Sequence, residues 1–310
     1  MSATPPGASD WLYFKLYLGG AVDRFDALIE HTLSRVLRDA SFDCWFFLRY
    51  VDPTGVHLRL RLKPVAGETE PQRRRVEAIC RQVLGELPTL AVSSYRSLVP
   101  TPRTTGLDYP VVAPRRGVTT ATRLAAEPYE PEWATYGGPT GMPIAERTFE
   151  VSSGIALAVL EEEIAGRCSR KSVAPGLMDT VRGTLIPRYN VARFWRDYSL
   201  YWLGGESAAA SDWRARFREK GRRLHEAAVP VVTPPDDLTP RMRALVTGWQ
   251  HRLADAKADY ARLHRIGAID LERLSLNFAH LMNNRLGLTV LEEAYLGALL
   301  EGAAEREDQA

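Results

Sequence analysis

A segment of strict alternation near the N-terminus limits what this chain can fold into. Residues 56–63 read VHLRLRLK, so aliphatic side chains alternate with basic ones. Because successive side chains of a strand point to opposite faces, the segment predicts a strand with one apolar and one basic face. The basic face contains His57, Arg59, Arg61 and Lys63. Guanidinium groups spaced in this way can bind several oxyanions of one small ligand, whereas the simpler interpretation is a solvated sheet face.

The surrounding sequence predicts an α+β fold. The predicted strands are residues 11–18, 43–50, 56–63 and 90–98, and the predicted helices between them are residues 22–37 and 71–87. The turn Asp52-Pro53-Thr54-Gly55 joins the second and third strands as an antiparallel hairpin. The resulting order over residues 11–98 is β-α-β-β-α-β, so we expect a ferredoxin-like unit with a mixed sheet.

The rest of the chain is predicted to be mostly helical. Residues 99–138 have weak signals and read as a loop that ends in a Gly-Gly segment. The predicted helices that follow are residues 142–151, 153–166, 172–183, 190–203, 208–228, 239–264, 270–286 and 289–302. We therefore expect a single domain over residues 11–302, in which a helical half (139–302) packs on the sheet. A flexible N-terminus (1–10) and a frayed tail (303–310) would flank it.

Composition argues against several functions. The formal net charge is only +2, which disfavours a dedicated nucleic-acid-binding protein. The basic run 214–223 (RARFREKGRR) reads first as an amphipathic helix, with an acidic peptide or RNA as the alternative ligand. Cys44, Cys80 and Cys168 lie far apart, which is typical of reduced thiols in the cytoplasm. The chain has no paired-cysteine or His-Glu-x-x-His sequence, no signal pattern and no apolar run long enough to cross a membrane, so we expect neither a metal site nor a membrane span.

A histidine between two amides marks the predicted helix 270–286. Asn277, His280 and Asn284 follow each other at i, i+3 and i+7 and therefore share a helix face. Neighbouring amides could fix the tautomer of the imidazole, which suits proton transfer near neutral pH. The alternative is a histidine that is hydrogen-bonded in a contact between helices.

A second candidate is the segment Tyr136-Gly137-Gly138. Paired glycines permit positive φ and close approach of the backbone, so their amides could bind an anion. Such glycines are also common in a simple turn before a helix.

Five segments together resemble a known family. They read, in order, WLYFKLYLGG, DCWFFLRYVDPTGVHLRLRL, EPYEPEWATYGGPTGMPIAERTF, FWRDYSLYW and HLMNNRL. They resemble the thiopeptide-type bacteriocin biosynthesis domain over roughly residues 11–300. This domain is the C-terminal, glutamate-eliminating part of class I lantibiotic dehydratases, and it also occurs as a separate protein. The resemblance implies a mixed sheet with helices packed around it.

The resemblance also implies a reaction and its partners. A separate tRNA-dependent subunit esterifies Ser or Thr of a precursor peptide with glutamate, and the elimination domain then removes the Cα proton and expels glutamate. The product is dehydroalanine or dehydrobutyrine. The expected partners are the precursor peptide (leader plus glutamylated core) and the glutamylating subunit, with no direct nucleic-acid contact. An elimination of this kind needs no metal or organic cofactor.

The resemblance assigns roles to residues that the patterns already single out. The family's arginine pair falls on Arg59 and Arg61, and its histidine falls on His280, so these three are the expected catalytic residues. The expected substrate-binding residues are His57, Lys63, Tyr136, Gly137, Gly138, Asn277, Asn284 and Arg285.

The chain departs from the family at one position. Many members have an arginine where this chain has Thr135, and Arg103, Arg147 or Lys63 are candidates to supply the missing charge. The departure favours an alternative activity found in related proteins. These pyridine synthases join two dehydroalanines by a formal [4+2] cycloaddition and then release water and the leader peptide. A second alternative is a non-catalytic subunit that binds the precursor peptide, although such a subunit would not need both arginines and the histidine.

Overall fold

A four-stranded antiparallel sheet forms the N-terminal part of the protein. The computed structural model describes residues 10–92, 121–187 and 190–309. The strands are β1 (Leu12–Tyr17), β2 (Phe42–Asp52), β3 (Gly55–Pro64) and β4 (Arg123–Glu127). Their order across the sheet is β2-β3-β1-β4. The predicted hairpin of β2 and β3 is confirmed, with Phe47 opposite Leu60 and Arg49 opposite Leu58.

The fourth strand is not the predicted one. Residues 90–92 form no strand, residues 93–98 lie outside the described residues, and β4 comes from residues 123–127 and pairs with β1. Pro88 lies in a 3₁₀ turn that prolongs the second helix, and Leu90 is buried at the end of that turn. All strand pairs among the described residues are antiparallel, so the expectation of a mixed sheet is wrong there. The ferredoxin-like unit over residues 11–98 is not confirmed.

Helices make up most of the described chain. They are α1 (Phe25–Asp39), α2 (Thr69–Glu86), α3 (Gly138–Ile164), α4 (Arg170–Leu185), α5 (Val191–Trp202), α6 (Ala208–Glu226), α7 (Pro240–Arg265), α8 (Leu271–Leu286) and α9 (Val290–Glu307). The two helices predicted over 142–151 and 153–166 are one helix, α3. It continues through Ser152, whose hydroxyl donates to the carbonyl of Phe149, and Ser153, whose hydroxyl accepts from the amide of Phe47. Across the described ranges, no helix is both long and apolar enough to cross a membrane.

Ion pairs with α6 extend the last helix beyond its predicted end. Arg214 binds the buried Glu301, and Arg218 binds both Glu301 and Glu305. Helix α9 therefore continues to Glu307, and the prediction that residues 303–307 are frayed is wrong. These arginines already have carboxylate partners within the protein, which argues against the alternative that the run 214–223 binds RNA or an acidic peptide.

Both faces of β3 are largely buried. Leu58, Leu60 and Leu62 are fully buried in the main core, as the alternation predicts. On the opposite face, however, His57 and Arg61 are also buried. Helix α3 packs against the sheet and contributes to the cover of this face, so the simpler interpretation of a solvated face is wrong at these two positions.

Side chains from two helices cap the free edge of β2. Glu150 of α3 binds the amide of Trp45, Ser153 of α3 binds the amide of Phe47, and Asn284 of α8 binds the amide of Arg49. Asn284 also donates to the carbonyl of Arg49, at 2.9 Å. An open strand edge is thereby closed, and α8 is fixed against the sheet.

A buried charge cluster fixes the C-terminal end of α8. Asp26 of α1 binds Arg49 at 2.7 Å and Arg170 at 2.8 Å. Both guanidinium groups also donate to the last carbonyls of α8, where the helix dipole favours positive charge. Gly287 ends the helix with φ of +86°, and a Cβ there would lie 2.9 Å from Cζ of Arg49. The cluster therefore links the sheet to the helical half.

Candidate active site

Arg61 lies in an aromatic cage and lacks a full set of hydrogen bonds. Its Cζ atom is 4.8 Å from the ring centroid of Tyr13, 5.3 Å from that of Phe46 and 5.2 Å from that of Tyr129. Its Nε–H has no hydrogen-bond partner among the described residues. Burial lowers the pKa of Arg61, and the nearby tyrosines only partly offset this effect. A buried guanidinium with an unused donor is typical of a site that binds an anion.

A small cleft opens beside Arg61. Its volume is about 30 Å³, which is room for roughly two water molecules. The lining residues are Phe46, Leu48, Arg61, Tyr129, Glu130, Glu132, Tyr136, Met142, Phe149 and Leu281. The expectation that Tyr136 lies near Arg61 is therefore met. Gly137 and Gly138 do not line the cleft, but they have φ of +80° and +74° and begin α3, so they set the turn that directs Tyr136 inward.

Arg285 is a second buried guanidinium near the same cleft. Its Nε donates to Ser153 Oγ at 3.0 Å, and one Nη donates to the carbonyl of Leu281 at 2.9 Å. The other Nη has no partner among the described residues. Burial lowers the pKa of Arg285 to about 9, and its charge acts on both Tyr136 and Arg61. The two arginines repel each other, so an anion between them would be favourable to both.

The other basic residues of β3 have different surroundings. Arg59 is half-buried, and its Cζ stacks 3.2 Å from the ring centroid of Tyr50. His57 is fully buried between Tyr17 and Tyr50, so its surroundings are those of a packed core residue. Its Nδ1 lies 3.1 Å from the Gly55 carbonyl and its Nε2 lies 3.4 Å from Nε of Arg59, which assigns the neutral Nδ1–H tautomer.

Lys63 lies at the other end of the strand, close to a buried acid. It is half-buried, and its charge acts on Glu146 of α3. Burial raises the pKa of Glu146, and the Tyr129 hydroxyl donates to this carboxyl group at 2.9 Å. The basic face of β3 therefore lies near a cation, Arg285, beside Arg61 and near an acid, Glu146, beside Lys63.

His280 belongs to a separate network between α5, α8 and α9. Its Nδ1 lies 3.0 Å from Oε1 and 3.2 Å from Oε2 of Glu293, and its side chain is 28% exposed. The ring of Trp202 stacks on the imidazole with a centroid distance of 4.2 Å. The Tyr198 hydroxyl and the Asn283 amide also donate to Glu293. This geometry can hold an imidazole in one orientation for proton transfer.

The arginine cleft and His280 lie on adjacent sides of α8. Leu281 lines the cleft, whereas its neighbour His280 is directed towards α5 and α9. Asn277 is half-buried one turn before His280. Both polar ends of the Asn284 amide bind the backbone of Arg49, so Asn284 positions the helix. A common cavity for His280 and the arginines stays a prediction.

Sequence patterns did not reveal the partners of the histidine. We expected the amides of Asn277 and Asn284 to orient His280, but the contacts come from Glu293 and Trp202. Glu293 follows the Glu292 of a capping box, so its position alone suggests only a favourable charge at a helix start. Within the described ranges, no group of three or more His, Cys, Asp or Glu residues could hold a metal ion.

Arg285 and Arg61 are positive charges that the structure brings close to Tyr136. Thr135 itself is half-buried in the turn before α3. Of the three proposed substitutes for the family arginine, Arg103 lies outside the described residues, Arg147 is exposed, and Lys63 acts on Glu146. Because Arg285 belongs to the quoted segment HLMNNRL, sequence reasoning did select it, but as a substrate-binding residue.

Solved structures with a similar fold include three proteins that resemble this chain over nearly its whole length. A pyridine synthase, TbtD, from thiomuracin biosynthesis has a TM-score of 0.68 at 19% identity, covering 96% of this chain and 98% of that chain. The tRNA-dependent lantibiotic dehydratase MibB from Microbispora sp. 107891 has a TM-score of 0.59 at 18% identity, covering 99% of this chain and 29% of that chain. TsrL has a TM-score of 0.53 at 17% identity, covering 97% of this chain and 95% of that chain.

Sequence comparison gives a second, independent result. No curated protein matches the chain. Residues 11–304, nearly the whole chain, match the family described as lantibiotic biosynthesis dehydratase C-term. This protein therefore belongs to the lantibiotic dehydratase C-terminal family.

Proposed function

We propose that this protein eliminates glutamate from glutamylated Ser or Thr residues of a ribosomal precursor peptide. The products would be dehydroalanine or dehydrobutyrine and free glutamate. The protein would act in the cytoplasm after a separate tRNA-dependent subunit has attached glutamate to the peptide. Membership of the dehydratase family supports a peptide substrate of this kind.

The reaction moves one proton and breaks one carbon–oxygen bond. A base takes the Cα proton of the esterified residue, and the electrons of the Cα–H bond form the Cα–Cβ double bond. The Cβ–O bond breaks, and glutamate leaves with both electrons as a carboxylate. We assign the base to His280 and the binding of glutamyl carboxylates to Arg61 and Arg285. Arg59, half-buried over Tyr50, would contact the peptide or the glutamyl group.

The observation that carries the proposal is the pair of incompletely bonded, buried guanidinium groups. Arg61 Nε and one Nη of Arg285 have no partner among the described residues, although neither residue is more than 7% exposed. Unused donors of this kind cost roughly 1–3 kcal/mol each, so a carboxylate that accepts from them would be bound strongly. The glutamyl ester and the departing glutamate both supply carboxylates.

A formal [4+2] cycloaddition is the second candidate. Thr135 favours it, because the family's arginine at this position is absent and a cycloaddition expels no carboxylate. The pyridine synthase TbtD is also similar in fold over nearly its full length. The buried arginine pair favours elimination, because two dehydroalanines carry no charge that would need it.

One assay separates the candidates. The purified protein is incubated with a leader-bearing peptide that carries a single glutamyl ester on serine, and in parallel with a peptide that carries two dehydroalanines. Elimination predicts free glutamate and one new dehydroalanine by mass spectrometry, and no change in the second peptide. Loss of water and leader from the second peptide alone would identify a pyridine synthase. Binding of both peptides without reaction would identify a non-catalytic subunit. The Arg61→Met variant, incubated with the same two peptides, is the control. It should release glutamate more slowly if the reaction takes place in the cleft beside Arg61.

A further inference from the structure

A buried carboxylate faces the histidine that we assign as the base. Both oxygens of Glu293 lie within 3.2 Å of Nδ1 of His280. A carboxylate accepts hydrogen bonds, so this contact requires the hydrogen of a neutral imidazole to be on Nδ1. Nε2 then carries a lone pair, and the side chain is 28% exposed, whereas Glu293 is only 1% exposed.

From this geometry, we propose that Glu293 is the positioning residue for His280. It would hold the Nδ1–H tautomer and leave Nε2 as the atom that exchanges a proton with the peptide. The inference rests on the proposed function for the identity of the reaction, but the tautomer itself does not depend on it.

Other groups fix Glu293 in turn. The Tyr198 hydroxyl donates to its Oε2, and the Asn283 amide donates to the same oxygen at 3.4 Å and to the Tyr198 hydroxyl at 3.2 Å. Both Tyr198 and Asn283 are fully buried. The carboxylate is therefore held by donors from two helices besides its contact with His280, and it cannot turn away without leaving those donors unpaired.

The imidazole is also constrained from its face. The ring of Trp202 lies 4.2 Å away, with an angle of 30° between the two planes. With one edge held by Glu293 and one face covered by Trp202, the ring of His280 has little freedom to flip. Such restriction keeps Nε2 in a fixed direction, as a base that acts on a bound substrate requires.

The chemical role follows from the charge that develops during the reaction. When Nε2 takes the Cα proton, the imidazole becomes a cation, and the nearby carboxylate of Glu293 stabilises it. The proton stays on Nε2 until it is released to solvent, and Glu293 gains no proton. A purely structural glutamate that only joins α8 to α9 would stabilise the fold but would not affect the tautomer or the chemical step.

Nitrogen NMR of the histidine ring tests the tautomer directly. The full chain is labelled with ¹⁵N-histidine, His280→Gln identifies the relevant signals, and the spectrum is recorded in mildly alkaline buffer. The inference predicts the Nδ1–H tautomer for His280 in the wild-type protein. An Nε2–H tautomer would overturn it, whatever the activity of the protein. Because this measurement uses the wild-type chain, it does not depend on whether a variant folds.

Kinetics of the Glu293→Gln variant test the functional part. The glutamine keeps the size of the side chain but loses the charge, so we expect kcat for glutamate release to fall about tenfold or more, with KM almost unchanged, as loss of support to an acid–base group predicts. We also expect the single tautomer to become a mixture. Glu301→Gln is the matched control, because Glu301 is also a buried glutamate of α9 but binds Arg214. It should affect stability and leave kcat unchanged.

The failures of the two proposals can be told apart. If His280→Gln abolishes elimination while wild-type His280 has the Nε2–H tautomer, the proposed function stands and the role of Glu293 is refuted. If Glu293→Gln keeps both the tautomer and kcat, the role of Glu293 is likewise refuted. If no glutamate is released by the wild-type protein but the Nδ1–H tautomer is present and is lost in Glu293→Gln, the positioning contact stands and the elimination proposal fails.

Discussion

Replacing Arg61 by methionine should slow elimination at least tenfold and change the stability of the protein only a little. Arg61 is 7% exposed, and its Nε–H has no partner among the described residues. A buried guanidinium that pairs only with a bound anion is expected to destabilise the protein when that anion is absent. Methionine is shorter but has the same unbranched stem, and its flexible thioether can pack against Tyr13, Phe46 and Tyr129 without a buried charge.

The expected size follows from two opposing contributions. An unsatisfied buried donor costs roughly 1–3 kcal/mol, and contact of the guanidinium with aromatic faces returns roughly 0.5–2 kcal/mol. The free energy of unfolding of Arg61→Met should therefore lie between about 1 kcal/mol below and about 2.5 kcal/mol above the wild-type value. Loss of one charge-assisted contact of about 1.5–3 kcal/mol should slow glutamate release by roughly 10- to 150-fold.

Arg49→Met is the matched control for this prediction. Arg49 lies on the adjacent strand and is 1% exposed, but it forms an ion pair with Asp26 at 2.7 Å. Removing one member of a buried ion pair lowers the free energy of unfolding by about 3–5 kcal/mol. Because Arg170 still pairs with Asp26, we expect a loss of about 3 kcal/mol for Arg49→Met. Urea denaturation of both variants gives the comparison. If Arg61→Met is destabilised as strongly as Arg49→Met, Arg61 has a structural role and the argument for an empty anion site is refuted.

Three further predictions concern stability. Burial lowers the pKa of His57 to about 4 from 6.5, so the unfolded chain binds more protons between these pH values, and the free energy of unfolding should fall by about 2 kcal/mol from pH 8 to pH 5. Urea denaturation at several pH values checks this, and His57→Gln should remove this part of the pH dependence. Gly287→Ala should destabilise by about 1–3 kcal/mol, because φ is +86° and the new Cβ would contact Arg49. Gly154→Ala, in a helix with open space around the Cβ, should instead stabilise by roughly 0.5–1 kcal/mol, and thermal melts of both variants check the opposite signs. Asn284→Ala should lower the free energy of unfolding by about 1–3 kcal/mol in urea denaturation, because it leaves the amide of Arg49 at the strand edge without its partner.

Local patterns predicted the elements of the fold better than their arrangement. The alternation of residues 56–63 predicted β3 and its pairing with β2, because period two is specific to strands. The same pattern could not reveal that α3 helps to cover the basic face, since the contact of Phe149 with Phe46 joins residues about 100 positions apart. The prediction of the fourth strand was wrong because β4 lies beyond a long segment of weak signals. Its pairing with β1 also depends on the tertiary fold.

The candidate site shows the same division between local and distant information. The residues selected by the basic strand and by the segment HLMNNRL include Arg61, Arg285 and His280. Their partners were not predictable, because Glu293 and Tyr198 come from other helices and have no distinctive spacing. The burial of His57 was also unexpected, since it depends on Tyr17 of a neighbouring strand.

A structure of the protein with a stable substrate analogue tests the central claim most directly. The analogue is a leader-bearing peptide in which an amide replaces the glutamyl ester, so that elimination cannot proceed. We predict a glutamyl carboxylate within hydrogen-bonding distance of the free N–H groups of Arg61 and Arg285, and the Cα of the modified residue facing Nε2 of His280. A glutamyl group bound elsewhere, with both arginine N–H groups still unpaired, would contradict the account.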